Sequence, residues 1–240
     1  DGISTSIPFD IGRFKTHPEI SPELSQEGPL GYSGFRLRTD LGDRDHPGKK
    51  TEFCVFQGAS YFRAIANGNN YGLSARGLAL KTADPEGEEF PEFVSFWLEA
   101  PGPLQDNMVV HALMDSPSVT GAYRFDITPG NPCVMDVEAT LFPRKDLTHA
   151  GLAPLTSMFL FDGTNHQRFD DFRPAVHDSD GLLMKNGQGE VLWRPLANPT
   201  RLQVSSFVDQ NPMGFGLMQR ARKLSDFADL EAHYHRRPSL

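Results

Sequence analysis

The sequence predicts an all-β protein, folded as a large antiparallel β-sandwich with few short helices. Segments of strand length with alternating or continuous apolar residues recur along the chain. Short turn sequences rich in Gly, Asn and Pro separate these segments. Long amphipathic helices do not lie between them, which argues against a parallel sheet with crossover helices.

The predicted strands follow one another from residue 51 to residue 208. In chain order they are TEFCVFQ (51–57), YFRAIA (61–66), FVSFWLEA (93–100), NMVVHALMD (107–115), GAYRFDI (121–127), VMDVEATLF (134–142), LTSMFLF (155–161), EVLWRPL (190–196) and RLQVSSFV (201–208). One segment, ARKLSDFADLEAHYH (221–235), has helical spacing instead. The first fifty residues are richer in Pro, Gly and charge, and we expect them to wrap the sheets as loops.

Composition limits the classes of function. The chain carries 31 Asp and Glu against 23 Lys and Arg, a net charge of −8, which argues against a nucleic-acid partner. No apolar run reaches the roughly 18 residues that membrane insertion needs. No repeat or charged linker divides the chain, so we expect residues 1–240 to form a single domain. Cys54 and Cys133 lie in strand-like segments and are expected to be half-buried small side chains without a functional role.

The segment DDFRPAVHDSDGL (170–182) concentrates four aspartates, one histidine and one arginine in thirteen residues. Such a cluster suits a turn, a metal site or a catalytic site. An EF-hand that began at Asp178 would have Leu182 at its fifth position, and His177 lacks a second ligand at zinc spacing, so we predict no metal and no cofactor. No serine nucleophile elbow occurs in the chain.

Two interpretations of the acidic cluster remain. One is acid–base chemistry by an aspartate whose neighbours set its ionisation, as in glycoside hydrolysis. The other is a turn, because Asp side chains bond nearby amides and Arg173 can neutralise Asp170 or Asp171. Trp97 and Trp193 suit stacking on sugar rings, but filling of the core explains them as well.

Several long motifs resemble one known family. GASYFRA (58–64), YGLSARGLAL (71–80), GEEFPEF (87–93), FWLEAP (96–101), DDFRPAVHDSDGL, NPMGFGLMQR and the terminal RRPSL are similar, in order and spacing, to the periplasmic glucan biosynthesis proteins of the MdoG/OpgG and OpgD family. The resemblance covers roughly residues 31–240. It implies a sandwich of the sugar-mutarotase type, followed in the family by an immunoglobulin-like domain that we expect to lie outside this chain.

The resemblance also implies a function. Family members look like periplasmic hydrolases that cleave β-1,2-glucan with inversion, and a functional link to the membrane glucan synthase is implied too. By motif position, Asp178 would receive the proton of the attacking water through a relay, with Ser179 and Tyr234 in the same site. The general acid of the family follows the RRPS motif, so we expect this truncated chain alone to be inactive.

Candidate substrate-binding residues are Arg173, His177, Asp180 and Trp193, around an open cleft that contains Asp178. Because glucan is neutral, groups that bond hydroxyls and aromatic faces would bind it. The alternative from another class is a non-catalytic factor that binds glucan and guides its synthesis or export. Release of reducing ends from β-1,2-glucan distinguishes the two hypotheses.

Overall fold

The computed structural model describes residues 2–10, 13, 31–42 and 47–240. Its strands are β1 Gly34–Asp40, β2 Lys50–Gln57, β3 Tyr61–Ala64, β4 Ser74–Arg76, β5 Leu78–Leu80, β6 Glu92–Leu98, β7 Met108–Asp115, β8 Val119–Thr128, β9 Val134–Pro143, β10 Ala150–Leu152, β11 Leu155–Thr156, β12 Phe159–Phe161, β13 Val176–His177, β14 Gly181–Lys185, β15 Val191–Pro195 and β16 Gly214–Met218. Short 3₁₀ helices span His166–Arg168, Leu224–Asp226 and Tyr234–Arg236. The predicted all-β fold with few short helices is confirmed.

The strands form two larger sheets and three small ones, and all their pairings are antiparallel. The first sheet has the order β1-β2-β3-β4-β11, and the second has the order β6-β7-β8-β9. The small sheets are β10-β5, β12-β13 and β15-β14-β16. Neighbours in the second sheet are joined as consecutive hairpins, which is why their local sequence patterns were sufficient to predict them.

The two larger sheets pack face to face across an aromatic core. In β8, buried residues alternate with more exposed ones along the whole strand, as expected for a strand with one covered face. Phe125 of this strand lies with its ring centroid 5.0 Å from those of Phe56 and Phe62, which belong to the first sheet. Burial of each such ring contributes about 1.5–3 kcal/mol. This contact across the sheets makes the sandwich.

A second, smaller core lies beside the first. Its buried members are Phe161, Ala175, Val176, Phe227 and Tyr234. These residues come from the β12-β13 pair and from the C-terminal segment, which folds back along β16. At the end of this segment, Leu240 exchanges two backbone hydrogen bonds with Leu217. The small core therefore holds the acidic segment against the end of the chain.

Two local predictions in the last forty residues were wrong. The segment 221–235 is not one helix, because Ala228 and His233 have φ of 52° and 50°, which breaks a right-handed helix. Asp229 also accepts the amides of Glu231 and Ala232, an arrangement typical of turns. Residues 201–208 form no strand in the structure, and all eight are exposed without a partner strand.

About half of the first fifty residues, where loops were expected, lie outside the described part: residues 1, 11–12, 14–30 and 43–46. Within that part, β1 forms where the sequence predicted a loop. Cys54 is buried in β2 and Cys133 is half-buried against the main core; both are free thiols. Burial raises the pKa of both thiols. Over the described ranges, no helix is long and apolar enough to cross a membrane.

Candidate functional site

The acidic segment is fixed by its neighbour on the next strand. Strand β13 pairs with β12, with His177 opposite Phe159. The pairing extends one residue further, since the Asp178 amide donates a 2.8 Å hydrogen bond to the Met158 carbonyl. After this point Asp180 leads into β14, and its amide donates to the carbonyl of Met218 in β16. Backbone hydrogen bonds on both sides therefore set the position of Asp178.

The Asp178 carboxyl group lies beneath the surface, with 8% of the residue exposed. Its Oδ1 is 2.9 Å from Nε of Arg237, a residue that is similarly buried. Neither of these two atoms has an aligned hydrogen-bond partner, so the contact is an ion pair rather than a directed hydrogen bond. Little of this carboxyl group is exposed, whereas the sequence led us to expect Asp178 in an open cleft.

Gly72 makes room for this pair. A Cβ atom at position 72 would lie 2.8 Å from Asp178 Oδ1 and 2.6 Å from Arg237 Cδ. Such distances are shorter than any ordinary carbon contact, so one of the two side chains would have to move. The connection between β3 and β4 thus contributes a backbone wall to the site.

Burial and charge act in opposite directions on Asp178. Loss of hydration raises the pKa of this carboxyl group, while the charge of Arg237, a hydrogen bond that the carboxyl group accepts from the Met158 backbone and the charge of Arg63 lower it. Burial has the larger effect, so the pKa lies above the ordinary value of an aspartate. A carboxyl group of this kind exchanges a proton closer to neutral pH than an exposed aspartate does.

Tyr234 lies in the same site. The residue is buried in the 3₁₀ helix Tyr234–Arg236, and the guanidinium carbon of Arg237 lies 5.1 Å from the centroid of its ring. Burial and the nearby charge of Asp178 raise the pKa of the phenol, so its hydroxyl group keeps its proton at neutral pH. The structure thus brings Asp178, Tyr234 and Arg237 together.

Ser179 is fully buried and pairs with a residue that the sequence did not single out. Its Oγ lies 2.6 Å from Oγ of Ser157, and either hydroxyl could donate. No hydrogen bond joins Ser179 to the Asp178 carboxyl group within the described residues. The two serines form a separate pair of hydroxyl groups next to the aspartate in the chain.

Arg173 links the acidic segment to the C-terminal segment and acts as a brace between them. Its guanidinium donates to both oxygens of Asp171 and, over 2.6 Å, to Oδ2 of Asp229. The hydrogen bonds from Arg173 hold the pKa of Asp171 down to about 2. This contact lies at an open concavity of about 630 Å³, whose lining includes the exposed side chains of Phe172 and Leu230. Asp178 is not part of that lining.

His177 points into the small core. Its ring stacks on Phe159 at a centroid distance of 5.2 Å and meets the edge of Phe227 at 5.0 Å. Burial lowers the pKa of the imidazole, which favours the neutral form. The structure places this candidate substrate-binding residue among aromatic side chains.

Asp180 and Trp193 meet through Arg220. Asp180 accepts the Nε–H of Arg220 at 3.1 Å, and the guanidinium carbon of Arg220 lies 4.6 Å from the centroid of the Trp193 ring. The ring also covers Gly181, where a Cβ would lie 2.1 Å from it. These residues form a layered contact on the β15-β14-β16 sheet, away from the Asp178 carboxyl group.

Sequence reasoning missed Arg237, Gly72, Arg63 and Ser157. Arg237 lies in the RRPSL motif that carries the family resemblance, but nothing in its residue type indicated a contact with Asp178. Among the described residues, no three His, Cys, Asp or Glu side chains are arranged to hold a metal ion.

Comparisons with known proteins identify the family. The family model described as "Periplasmic glucan biosynthesis protein, MdoG" matches residues 1–240. The chain is 60% identical over 228 residues to Glucans biosynthesis protein G of Shewanella sp. (strain ANA-3), covering 95% of this chain and 41% of that protein. It is 57% identical over 237 residues to Glucans biosynthesis protein G of Vibrio cholerae serotype O1, covering 99% of this chain and 43% of that protein.

The chain thus spans about two fifths of the length of these curated relatives. The match extends over every element of the structure and over the segments that form the site. The chain belongs to the periplasmic glucan biosynthesis protein family.

Proposed function

We propose that the full-length protein is a periplasmic hydrolase that trims β-1,2-glucan with inversion of the anomeric carbon. In this proposal Asp178 is the base that finally receives the proton of the attacking water. The general acid is contributed from outside residues 1–240, and the 240 residues alone do not turn over substrate. The trimmed polymer is the product of a membrane glucan synthase.

The observation that carries the proposal is the buried carboxyl group of Asp178 beside Arg237. A general base must be ionised before reaction and must hold a proton afterwards. Burial favours the protonated form, and the neighbouring guanidinium favours the ionised form. The balance of the two leaves a carboxyl group whose pKa lies above the ordinary value of an aspartate, which suits a group that must both lose and gain a proton. A simple turn former requires neither burial nor a buried cation.

The low exposure of Asp178 is consistent with a proton relay. Since little of its carboxyl group meets solvent, the attacking water would transfer its proton through an intervening hydroxyl group or water molecule. The Tyr234 phenol, which is protonated at neutral pH, is suited to orient such a molecule. Ser179 would act with Ser157, to which its hydroxyl is bonded.

The low exposure of Asp178 also fits one alternative, in which the protein is a non-catalytic factor that binds glucan. In that case Asp178 and Arg237 would only stabilise the binding surface. Arg173, Asp180 and Trp193 would contribute to binding under either hypothesis, while His177 would support them from the core.

Hydrolysis of purified β-1,2-glucan by the full-length protein tests the proposal. We expect new reducing ends, and NMR of the first product should show the α-anomer, since an inverting enzyme converts a β-linkage to an α-hemiacetal. The exposed Asp106 provides a control, because Asp106→Asn should leave the rate unchanged. Binding of glucan without any release of reducing ends would support the alternative.

A further inference from the structure

The contact between Asp178 and Arg237 has an uncommon geometry. Both side chains are largely buried, and the two atoms lie 2.9 Å apart without hydrogen-bond alignment. A buried ion pair is costly to form, so its retention needs an explanation other than stability. Among the described residues, no side chain donates a hydrogen bond to the other carboxyl oxygen, Asp178 Oδ2.

Four contacts hold Arg237 where it lies. Its guanidinium stacks over Tyr234, and its amide donates a 3.0 Å hydrogen bond to the Tyr234 carbonyl. Its own carbonyl accepts a hydrogen bond from Arg222. Gly72 borders the side chain on the remaining side, where a Cβ would displace it. The arginine is therefore placed by its surroundings and not by Asp178 alone.

Few other charged groups face Asp178. Arg63 of β3 adds a second positive charge, but it is exposed and its Nε–H donates to Ser74 at 2.5 Å. From the C-terminal turn, the Tyr234 phenol faces the carboxyl group besides Arg237. The neighbouring strand β12 contributes apolar side chains, and the Met158 carbonyl accepts the Asp178 amide. Arg237 is thus the one buried cation beside this carboxyl group in the described ranges.

We propose that Arg237 is a positioning residue, which keeps Asp178 ionised and fixes one of its oxygens while the other stays free to accept a proton. This inference rests on the proposed hydrolytic function of Asp178. Arg237 does not need to touch the substrate, since it acts through the aspartate. Gly72 is part of the same arrangement because it leaves space for both side chains.

The pH dependence of the full-length protein tests this role. With Arg237→Gln, the ionised carboxylate loses its partner, so hydrolysis on the acidic limb should fall at least about tenfold relative to wild type. The difference should narrow as the pH rises. Arg237→Lys keeps a positive charge and should restore part of the acidic limb. A uniform loss at every pH would overturn the proposal.

Arg76 provides a matched control. It is a buried arginine that pairs with Glu88 at 2.7 Å and lies over the ring of Tyr61. Arg76→Gln removes a comparable ion pair that does not involve the proposed base, so the shape of its pH profile should match that of wild type. A profile altered in the same way as that of Arg237→Gln would contradict a specific role for Arg237.

A measurement without substrate separates this inference from the proposed function. Carboxyl-carbon NMR with labelled aspartate, assigned by Asp178→Asn, follows the ionisation of Asp178 directly. We expect its midpoint to lie at higher pH in Arg237→Gln than in wild type. An unchanged midpoint would reject the role of Arg237 even in an active enzyme. If the wild-type protein does not hydrolyse glucan but Arg237→Gln still shifts the midpoint, the proposed function is rejected and the pairing of Arg237 with Asp178 is kept.

Discussion

Arg173 Nη1 donates a 2.6 Å hydrogen bond to Asp229 Oδ2, which ties the segment before Asp178 to the loop after the 3₁₀ helix Leu224–Asp226. The same guanidinium bonds both oxygens of Asp171. The aspartates of segment 170–182 therefore have different structural roles. Asp171 belongs to a structural brace, and Asp178 belongs to a buried pair.

The brace predicts a stability difference that depends on pH. The pKa of Asp171 is lowered to about 2 by Arg173, and the pKa of Asp229 is lowered by the Ala232 amide and Arg173. A lowered carboxyl pKa stabilises the fold above the ordinary aspartate range, and this stabilisation is lost as the pH falls through the lowered value. Arg173→Gln should lower the melting temperature by several degrees at neutral pH.

The melting difference for Arg173→Gln should shrink between about pH 4 and pH 2, where the aspartates become protonated in the wild type too. Thermal unfolding followed by circular dichroism measures it. Arg201→Gln, at an exposed position, is the control for loss of a positive charge. A difference that stays constant down to pH 2 would contradict the assigned partners.

Asp178→Asn separates catalysis from turn formation. Asn is nearly isosteric and also bonds nearby backbone groups, so a turn former would tolerate it. A base would not, and we expect hydrolysis by the full-length protein to fall at least about 10²-fold while glucan binding persists. Rates from reducing-end assays and binding from calorimetry give the two quantities. Hydrolysis at the wild-type rate would reject Asp178 as the base.

Gly72→Ala should perturb the site through sterics alone. The added Cβ would lie 2.8 Å from the Asp178 carboxylate oxygen, and such overpacking costs about 1–3 kcal/mol. We expect a lower free energy of unfolding in urea and reduced hydrolysis. Gly163→Ala, where a Cβ meets no atom within 4 Å, is the matched control. Equal effects of the two substitutions would argue against close contact at position 72.

Gly181→Ala tests whether Trp193 is a structural residue. The ring covers the glycine so closely that a Cβ would lie 2.1 Å from it, so the ring must leave. We expect a red shift of the Trp193 fluorescence, taken as the part of the emission that Trp193→Phe removes, and a loss of about 1–3 kcal/mol in unfolding free energy. Gly214→Ala in the adjacent strand adds a Cβ in open space and should change neither. Unchanged fluorescence in Gly181→Ala would contradict the packed ring.

The regular strands of the sandwich could be predicted because their signal is local. Buried and more exposed residues alternate strictly along β8, and this alternation is enough to recognise a strand with one buried face. The pattern misses β14 and β16, whose sequences GLLMK and GFGLM combine short apolar runs with glycines that are typical of turns. The predicted helix at 221–235 had good apolar spacing, but two residues with left-handed backbone overruled it.

The site was predicted only in part, because the contacts of Arg237 and Gly72 with Asp178 join segments that are distant in the sequence. Asp178, Ser179 and Tyr234 came from motif resemblance, and the acidic cluster drew attention to the right segment. The pairing of Asp178 with Arg237, and the role of Gly72, depend on how the chain end packs on the β3–β4 connection. No local pattern encodes such a contact, since a glycine or an arginine has the same sequence appearance in a loop as in a site.

The attachment of the C-terminal turn to the rest of the molecule has one further consequence. Arg236 holds the turn by accepting hydrogen bonds from the Asn70 amide at 3.0 Å and the Asn69 side chain at 3.1 Å. Opening these bonds would withdraw the guanidinium from the carboxylate while the stacked rings of the sandwich stay in place. We therefore expect the site to open as a cooperative unit of its own, with faster hydrogen exchange than the sheets. Under the proposed function, we expect hydrolysis to be lost at milder heat or denaturant than the secondary structure.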